Sequence, residues 1–436
     1  MSCCTNKKLK AAGVAVPEIL LPQGVDLSRW AVIACDQFTS QRNYWDAADE
    51  IAGDSPSALR IALPEIYLEE SEKRVPQINA KMTSYLSEDV LSKQVNGFVL
   101  VRRQISAGTR YGLLVLLDLD EYDFSADSKS RIRATEGTII SRLPPRVQIR
   151  ENAPLELPHI LVLIDDPEKT VIEPLLEKTK AYDMEKLYDF DLMLDGGHIE
   201  GFGIAGGSDI AAQIAEAISV LDDSDTQAKK YGFTQDEAAA HGLMTFAMGD
   251  GNHSLATAKT IWERTKAGLS ELERENHPAR FALVELNNLH EDSLKFEPIH
   301  RLMMNCDPAA LLDGLTKWAA AQHGDGGQQS LRYVLAGQSG EIVVENAPHS
   351  LPVGTLQLFL DEYIAGNAGV EIDYIHDDDA LISLAEKDNC LGFLCDAIEK
   401  SQLFRSILLS GPLPRKTFSI GNARDKRYYL EARKIK

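Results

Sequence analysis

Long apolar runs are scarce in this sequence of 436 residues. None approaches the roughly 18–20 residues that a bilayer-spanning helix needs, so we predict no membrane partner. The first 22 residues carry a basic patch but no continuous apolar core with a small-residue cleavage site, which indicates no secretory leader. The six cysteines are scattered, without a C-x-x-C pair or zinc-finger spacing. This distribution favours a cytoplasmic protein with free thiols.

Positive charge is also in short supply. The chain has 45 Lys and Arg residues against 66 Asp and Glu residues, which gives a formal net charge of −21. A field of this sign repels polyanions at long range. We therefore expect no general binding to nucleic acid, although a local basic pocket is compatible with the overall charge. Small molecules are the expected partners.

Apolar segments alternate with amphipathic ones in the middle of the chain. The runs "HILVLIDD" (159–166) and "ARFALVELNNL" (279–289) are typical of strands buried on both faces. The segment "SDIAAQIAEAISVL" (208–221) predicts an amphipathic helix with Ser or Asp at its N-cap. Residues 243–250 predict a further strand, and residues 253–268 a further helix. This order predicts an α/β (mixed α+β) fold.

Changes in the pattern of predicted elements divide the sequence into three regions. Residues 1–130 contain two strand-like runs around Ser-Ala-Gly, which predict a hairpin in an N-terminal α/β region. Residues 131–305 hold the strand and helix alternation and form the expected core. Residues 306–436 predict a C-terminal α+β region that ends in a basic segment.

A glycine pattern in the core resembles a dinucleotide-binding fingerprint. Gly201, Gly203 and Gly206 form G-x-G-x-x-G, which in that fingerprint follows a parallel strand and precedes an acidic residue at the end of the next strand. Here Asp222 and Asp223 lie in a polar stretch instead. A strand that ends in a flexible turn before a capped helix is the interpretation we favour.

The segment "GDGNHS" is the strongest candidate for a functional site in the sequence. Asp250 or Asn252 can cap the helix that starts near His253, and the same helix N-terminus presents N–H groups that bind phosphate. Gly251 lets the backbone approach a ligand, and Ser254 adds a hydroxyl. Asp250 can hold Mg²⁺ because this ion prefers oxygen ligands. Capping alone and anion binding both remain open at this point.

Arginines are concentrated in the segment 129–156. Glu136 lies among them and can act as a general base if it approaches a hydroxyl substrate. The side chains able to clamp phosphate are Arg133, Arg142, Arg146 and Arg150. The alternative is an exposed, solvated loop.

Two further parts of the sequence contain candidate functional residues. His300 and Arg301, in "PIHRLM", follow the strand 279–289 by a short stretch, so we expect them near the "GDGNHS" corner at the ends of neighbouring strands. A surface ion-pairing role is the alternative. Cys35 has no sequence neighbour that would lower the pKa of its thiol, so we predict no nucleophile there.

Four of these segments in this order resemble the family called domain of unknown function 1015. They are "ATEGT", "DGNHSL", "PIHRLM" and "LPRKTF", and the resemblance covers nearly the whole chain. The Asp-Gly-His corner is also similar to that of the ParB/sulfiredoxin-like superfamily, which includes the free serine kinases. The resemblance thus implies a ParB/sulfiredoxin-like core within a longer chain.

The resemblance also implies roles for individual residues. Glu136 corresponds to the base that takes the proton of a serine hydroxyl. Asp250 and His253 correspond to the phosphate and metal site, with the backbone of 251–254 as the cradle for phosphate. His300 and Arg301 are expected to help hold the phosphates.

The chain departs from the family pattern at three positions. Asn252 stands where the motif has its first His, Ser254 stands where it has Arg, and Thr135 stands where a His usually precedes the Glu. The loss of the Arg removes the strongest phosphate clamp, because a hydroxyl is a neutral partner.

These observations lead to a functional hypothesis with two alternatives. We expect a phosphotransferase or phosphatase that acts on a small hydroxylated metabolite such as serine, with ATP or ADP and Mg²⁺. The first alternative is a small-molecule or nucleotide sensor without catalysis. The second is a ParB-like nucleic-acid-associated protein, against which the net charge argues.

Overall fold

The computed structural model describes residues 3–180 and 184–436. The contacts within it divide the chain into two compact units. The first comprises the residues up to Ala134 together with Thr138–Leu294 and Gly421–Lys436, and the second comprises Thr135–Gly137 and Lys295–Ile420. The boundaries between sequence regions that are expected near residues 130 and 306 stay predictions.

The strands and helices of the described residues alternate along the chain. The strands are β1 (Val14–Ala15), β2 (Glu18–Pro22), β3 (Val32–Ile33), β4 (Leu91–Ile105), β5 (Gly108–Asp118), β6 (Tyr122–Asp123), β7 (Ile132–Arg133), β8 (Leu155–Glu156), β9 (Leu161–Ile164), β10 (Glu185–Asp191), β11 (His198–Ala205), β12 (Phe246–Asp250), β13 (Phe281–Asn288), β14 (Phe296–Pro298), β15 (His300–Met304), β16 (Gln329–Leu335), β17 (Gln338–Val344), β18 (Glu371–Ile375), β19 (Leu391–Leu394), β20 (Phe418–Ile420), β21 (Tyr428–Tyr429) and β22 (Arg433–Lys434). The α-helices are α1 (Cys3–Ala11), α2 (Leu27–Trp30), α3 (Arg42–Ala52), α4 (Ser71–Ser87), α5 (Leu143–Arg150), α6 (Glu173–Lys180), α7 (Asp209–Leu221), α8 (Ser224–Tyr231), α9 (Gln235–His241), α10 (Asn252–Lys266), α11 (Glu271–Asn276), α12 (Pro308–Ala320), α13 (Pro352–Gly366), α14 (Asp378–Ala385) and α15 (Lys400–Ser410).

A large mixed sheet organises the first unit. Its main path runs β10-β11-β4-β5-β13-β9-β12-β7-β6, and β1 and β2 pair with β5 and β4. Most neighbours are antiparallel, whereas β9 and β13, β12 and β7, and β7 and β6 are parallel pairs. The predicted α/β class is confirmed, and the hairpin expected around Ser-Ala-Gly is β4 and β5.

Both faces of this sheet are covered by apolar cores. Leu113 and Val115 of β5 belong to one core, which also includes side chains of α7 and α10. Leu114 and Leu116 belong to the other, which includes side chains of α3, α4 and β21. Successive strand residues point to opposite faces, so a strand between two cores is apolar throughout. All four residues of β9 are buried for the same reason.

The G-x-G-x-x-G pattern belongs to an antiparallel arrangement. Gly201 and Gly203 lie in β11, whose neighbours β4 and β10 both run antiparallel to it. A Cβ at Gly201 would lie 2.1 Å from the Tyr188 ring, so the glycine makes room for this aromatic side chain. Ser208 caps α7 by accepting from the N–H of Ala211, as predicted. The interpretation as a turn before a capped helix is confirmed.

The second unit contains an antiparallel sheet of its own. Its five strands are ordered β17-β16-β19-β15-β18, and β14 pairs separately with β20. Helix α14 covers this sheet, where Leu381 packs with Leu302 and Val334 in a small core. Within residues 3–180 and 184–436, no helix combines the length and the apolar character that crossing a membrane requires.

Candidate functional site

The "GDGNHS" corner joins β12 to α10 in the first unit. Strand β12 ends at Asp250, and Gly251 occupies the N-cap position with φ of 83°, in the left-handed region that favours glycine. The N-cap residue is Gly251, so the predicted assignment of the cap to Asp250 or Asn252 is wrong. The turn also needs glycine for space, since a Cβ at Gly251 would lie 3.0 Å from Ile160 Cγ1.

His253 lies in the first turn of α10 and is half-buried. Its Nε2 accepts a hydrogen bond of 3.3 Å from the N–H of Ile139. Burial lowers the pKa of His253, and the positive charges of Arg146 and Arg142 lower it further. The imidazole is therefore neutral at pH 7, and the charges of two guanidinium groups act on it.

Asp250 is paired with a cation that sequence reasoning missed. Lys426 Nζ lies 3.3 Å from Asp250 Oδ2, and both side chains are largely buried. Lys426 comes from the basic segment Gly421–Lys436, which belongs to the first unit. The carboxylate predicted to hold Mg²⁺ thus pairs with an ammonium group through Oδ2.

Ser254 contacts a histidine that the sequence did not single out. Ser254 Oγ lies 2.9 Å from His159 Nε2, and His159 Nδ1 lies 3.4 Å from the hydroxyl of Tyr429. The Tyr429 hydroxyl lies 2.9 Å from Cys35 Sγ and accepts a hydrogen bond from the Cys35 N–H. Burial raises the pKa of the Cys35 thiol to about 12, which agrees with the prediction that it is no nucleophile.

A small cavity of the first unit borders these residues. Its volume is about 150 Å³. The polar lining includes Arg146, His159, Ser254 and Tyr429, together with the carboxylates Asp36, Glu65 and Glu156. Much of the rest is apolar and includes Ile61, Leu63, Leu68, Ile78 and Met82. The first turn of α10 thus borders a cavity that has both polar and apolar lining residues.

The four arginines of the predicted clamp have different surroundings. Arg146 pairs with Glu65, and Arg150 pairs with Glu156. Arg133 is buried and donates to three backbone carbonyls, so it holds the chain rather than facing a ligand. Arg142 and Arg146 are the two whose charge acts on the His253 imidazole.

Three of the singled-out segments meet in the second unit. Glu136 Oε1 accepts a hydrogen bond of 3.2 Å from the N–H of Lys416, and Thr135 O accepts one of 2.8 Å from the N–H of Leu413. Arg301 donates to the carbonyl of Lys416 at 2.9 Å. The segments "ATEGT", "PIHRLM" and "LPRKTF" therefore contact one another, although they are far apart in the sequence.

His300 and Arg301 are fully buried in β15. His300 Nε2 lies 2.7 Å from Asp378 Oδ1, and its Nδ1 accepts from the N–H of Cys395. Arg301 donates to Gln357 and to backbone carbonyls. Neither residue is a surface ion pair, and both tie elements of the second unit together. The expectation that they end a strand neighbouring β12 is wrong, because β15 and β12 belong to different sheets. Their expected role in phosphate binding stays a prediction, as does the role of Glu136 as a base.

One group of side chains in the described part of the chain has metal-binding spacing. Asp189, His198 and Glu200 lie on β10 and β11. The ammonium of Lys186 already lies 2.9 Å from Glu200 Oε1, so a cation is present there.

Fold and site together define the protein as a mixed α/β protein whose glycine-initiated β12–α10 corner borders a small cavity. A family model described as "Protein of unknown function (DUF1015)" matches residues 20–363. The chain belongs to this family, and the resemblance seen in its motifs is confirmed.

Comparisons with other proteins give distant similarities. A conserved hypothetical protein from Pyrococcus furiosus is 11% identical, with 73% of this chain and 90% of that chain covered and a TM-score of 0.33. A free serine kinase in complex with AMP is 11% identical, with 74% and 92% covered and a TM-score of 0.37. A mutant free serine kinase in complex with ADP is 10% identical, with the same coverage and a TM-score of 0.38. No curated protein matches the chain.

Proposed function

We propose that the first unit binds a small phosphorylated ligand at the N-terminus of α10, and that the protein transfers or hydrolyses its phosphoryl group. One observation carries this proposal: the charges of Arg142 and Arg146 act on His253 in the first turn of this helix. A helix N-terminus attracts anions through its outward N–H groups and the helix dipole. Guanidinium groups add directed, charged hydrogen bonds to phosphate.

Each residue of the corner has a role in this proposal. The left-handed turn at Gly251 lets phosphate approach the backbone of Asn252, His253 and Ser254 closely. The neutral His253 can donate from Nδ1, because its Nε2 accepts from the Ile139 N–H.

The cofactors we propose are Mg²⁺ and ATP or ADP. Asp250 supplies the kind of oxygen ligand that Mg²⁺ prefers. Lys426, beside Asp250 Oδ2, adds positive charge next to the phosphate position. The substrate class is a small hydroxylated metabolite such as serine. Mg²⁺ would neutralise phosphate charge, while the residues of this chain orient the groups.

A thermal-shift titration tests this proposal. Inorganic phosphate, AMP, ADP and ATP are each added with and without Mg²⁺. A ligand at about 100 times its Kd should stabilise the protein by about 2.7 kcal/mol. Arg142→Gln should weaken the shift, because it removes a charge beside the first turn of α10.

The same helix provides the matched control. Arg264 lies in the last turn of α10, so Arg264→Gln removes an equal charge at the opposite end. We expect this variant to keep the wild-type shift. If none of the phosphate compounds changes the melting temperature, or if both variants lose the shift equally, the proposed site is wrong.

A sensor without catalysis is the second candidate. The presence of Ser254 where the family motif has Arg favours it, because the strongest clamp for a transferring phosphoryl group is missing. Turnover separates the two functions. Ligand binding without any release or transfer of phosphate, in the wild type and in Glu136→Gln alike, would favour the sensor.

A further inference from the structure

Ser254 and His159 form a hydroxyl–imidazole pair on a rigid support. Ser254 is the third residue of α10, and His159 lies shortly before β9. Because β9 and β12 are neighbours in the sheet, and β12 leads into α10, both side chains are held by paired strands. The distance of 2.9 Å between Ser254 Oγ and His159 Nε2 is that of a hydrogen bond.

The hydrogen bonds around Tyr429 decide which nitrogen of His159 carries the proton. Burial raises the pKa of Tyr429 well above its usual value, so the phenol stays protonated. Its oxygen accepts from the Cys35 N–H and lies 2.9 Å from Cys35 Sγ, a contact in which either atom can donate. With the phenol proton directed to Cys35 Sγ, a lone pair of the oxygen faces His159 Nδ1, and the imidazole proton then lies on that nitrogen.

This tautomer prepares Ser254 for attack on an electrophile. With the proton on Nδ1, the Nε2 atom of His159 is a bare acceptor and takes the hydrogen bond from the Ser254 hydroxyl. Nucleophile, base and a third group that orients the base are the parts of an activated hydroxyl. The charge that develops on the attacked group also lies at the N-terminus of α10, where the helix dipole favours it.

The lining and the volume of the cavity indicate which chemical group is attached to the electrophile. Ser254, His159 and Tyr429 all line it, and the wall formed by residues such as Ile78 and Met82 is apolar. A volume of about 150 Å³ is that of an apolar cavity known to hold benzene. A small apolar or aromatic alcohol portion therefore fits beside the serine.

We infer that Ser254 is the nucleophile for a phosphate monoester whose small apolar alcohol portion occupies the cavity. The Ser254 Oγ–P bond forms as the ester P–O bond breaks, and the serine proton passes through His159 Nε2 to the leaving alcohol oxygen. Water, deprotonated by His159 Nε2, then attacks phosphorus as the Ser254 Oγ–P bond breaks. The proton held by His159 returns to Ser254 Oγ, and inorganic phosphate is released. The inference rests on the proposed function for the identity of the transferred group, and Tyr429 acts as a positioning residue.

Diisopropyl fluorophosphate tests this pair without the natural ligand. Attack by Ser254 forms the Oγ–P bond and expels fluoride, and peptide mass mapping locates the label. We expect the wild type to be labelled at Ser254 and Ser254→Ala to remain unlabelled at this peptide. His159→Gln should slow labelling by about 10²–10⁴-fold, the usual contribution of a general base.

Thr260 offers a matched control. It lies in the same helix but does not line the cavity, and its hydroxyl donates to the carbonyl of Ala256. Thr260→Val should therefore be labelled at the wild-type rate. Tyr429→Phe removes the acceptor for His159 Nδ1, so the labelling rate should fall and the midpoint of its pH profile should shift. A purely structural role for Tyr429 would leave that midpoint unchanged.

The outcomes separate this inference from the proposed function. Label at another residue, equal labelling of Ser254→Ala at this peptide, or a wild-type rate in His159→Gln would each overturn the inference. Labelling of Ser254 by the probe without any thermal shift by phosphate compounds would support the nucleophile and contradict the phosphate site. A thermal shift by phosphate compounds without labelling of Ser254 would support the phosphate site and contradict the nucleophile.

Discussion

The substitution Gly251→Ala tests the strand-to-helix corner most directly. At φ of 83°, an alanine adopts the left-handed conformation at a cost of about 1–2 kcal/mol. Its Cβ would also lie 3.0 Å from Ile160 Cγ1 and 3.3 Å from Ile160 Cα, closer than ordinary contacts. Overpacking of this kind adds about 1–3 kcal/mol. We therefore expect the first unit to lose about 2–5 kcal/mol.

Calorimetry measures this loss of stability as a fall in the melting temperature. Unfolding entropy of about 2.1 cal/mol/K per residue, over the roughly 300 residues of the first unit, amounts to about 0.6 kcal/mol/K. The melting temperature of Gly251→Ala should then fall by about 3–8 °C. The shift caused by phosphate compounds should also shrink, because the backbone can no longer approach the ligand as closely.

Gly232→Ala separates backbone strain from the contact with Ile160. Gly232 has φ of 71°, but a Cβ there would meet nothing within 4 Å. This variant should lose only the conformational part, about 1–2 kcal/mol, which corresponds to about 2–3 °C. An equal loss in the two variants would refute the steric argument, and an unchanged melting temperature in Gly251→Ala would refute the left-handed turn itself.

Three further substitutions test buried charge and catalysis. Burial raises the pKa of Glu291 to about 7, so its contribution to stability falls as pH rises from about 4.5 to 7, by about 3 kcal/mol. Glu291→Gln, which keeps an acceptor for the Tyr111 N–H, should stabilise the protein at pH 8 and leave its stability unchanged at pH 4 in urea denaturation. Arg427→Met removes a buried partner of Glu285 and should cost about 3–5 kcal/mol; an unchanged urea midpoint would contradict this. If Glu136 is the base, Glu136→Gln should slow turnover by about 10²–10⁴-fold while the thermal shift by ligand persists.

Elements with local apolar patterns could be predicted from the sequence. The hairpin β4–β5, the buried strand β9 and the order of β12 and α10 each follow from the spacing of apolar side chains within a few turns or strand residues. The predicted N-cap residue is wrong, because Asp250 pairs with Lys426 and Gly251 occupies the N-cap position in a left-handed turn.

The partners of the candidate site could not be predicted, because their contacts join distant parts of the chain. His159 and Ser254 are 95 residues apart, and Tyr429 and His159 are 270 residues apart. No local periodicity connects such positions, and an isolated histidine before a strand has no distinguishing pattern. The burial of Arg301 in β15 could likewise not be predicted, since an arginine in a short segment usually lies at the surface.

The first unit is completed by the segment Gly421–Lys436, and this imposes an order on synthesis. A ribosome delivers β9, β12 and α10 long before Lys426, Arg427 and Tyr429 exist. Until then Glu285 lacks Arg427, and His159 lacks the hydroxyl that orients it. The second unit has all its residues once Ile420 has been made. The candidate site is therefore assembled last, so a chain released before Gly421 lacks its lysine and its tyrosine together.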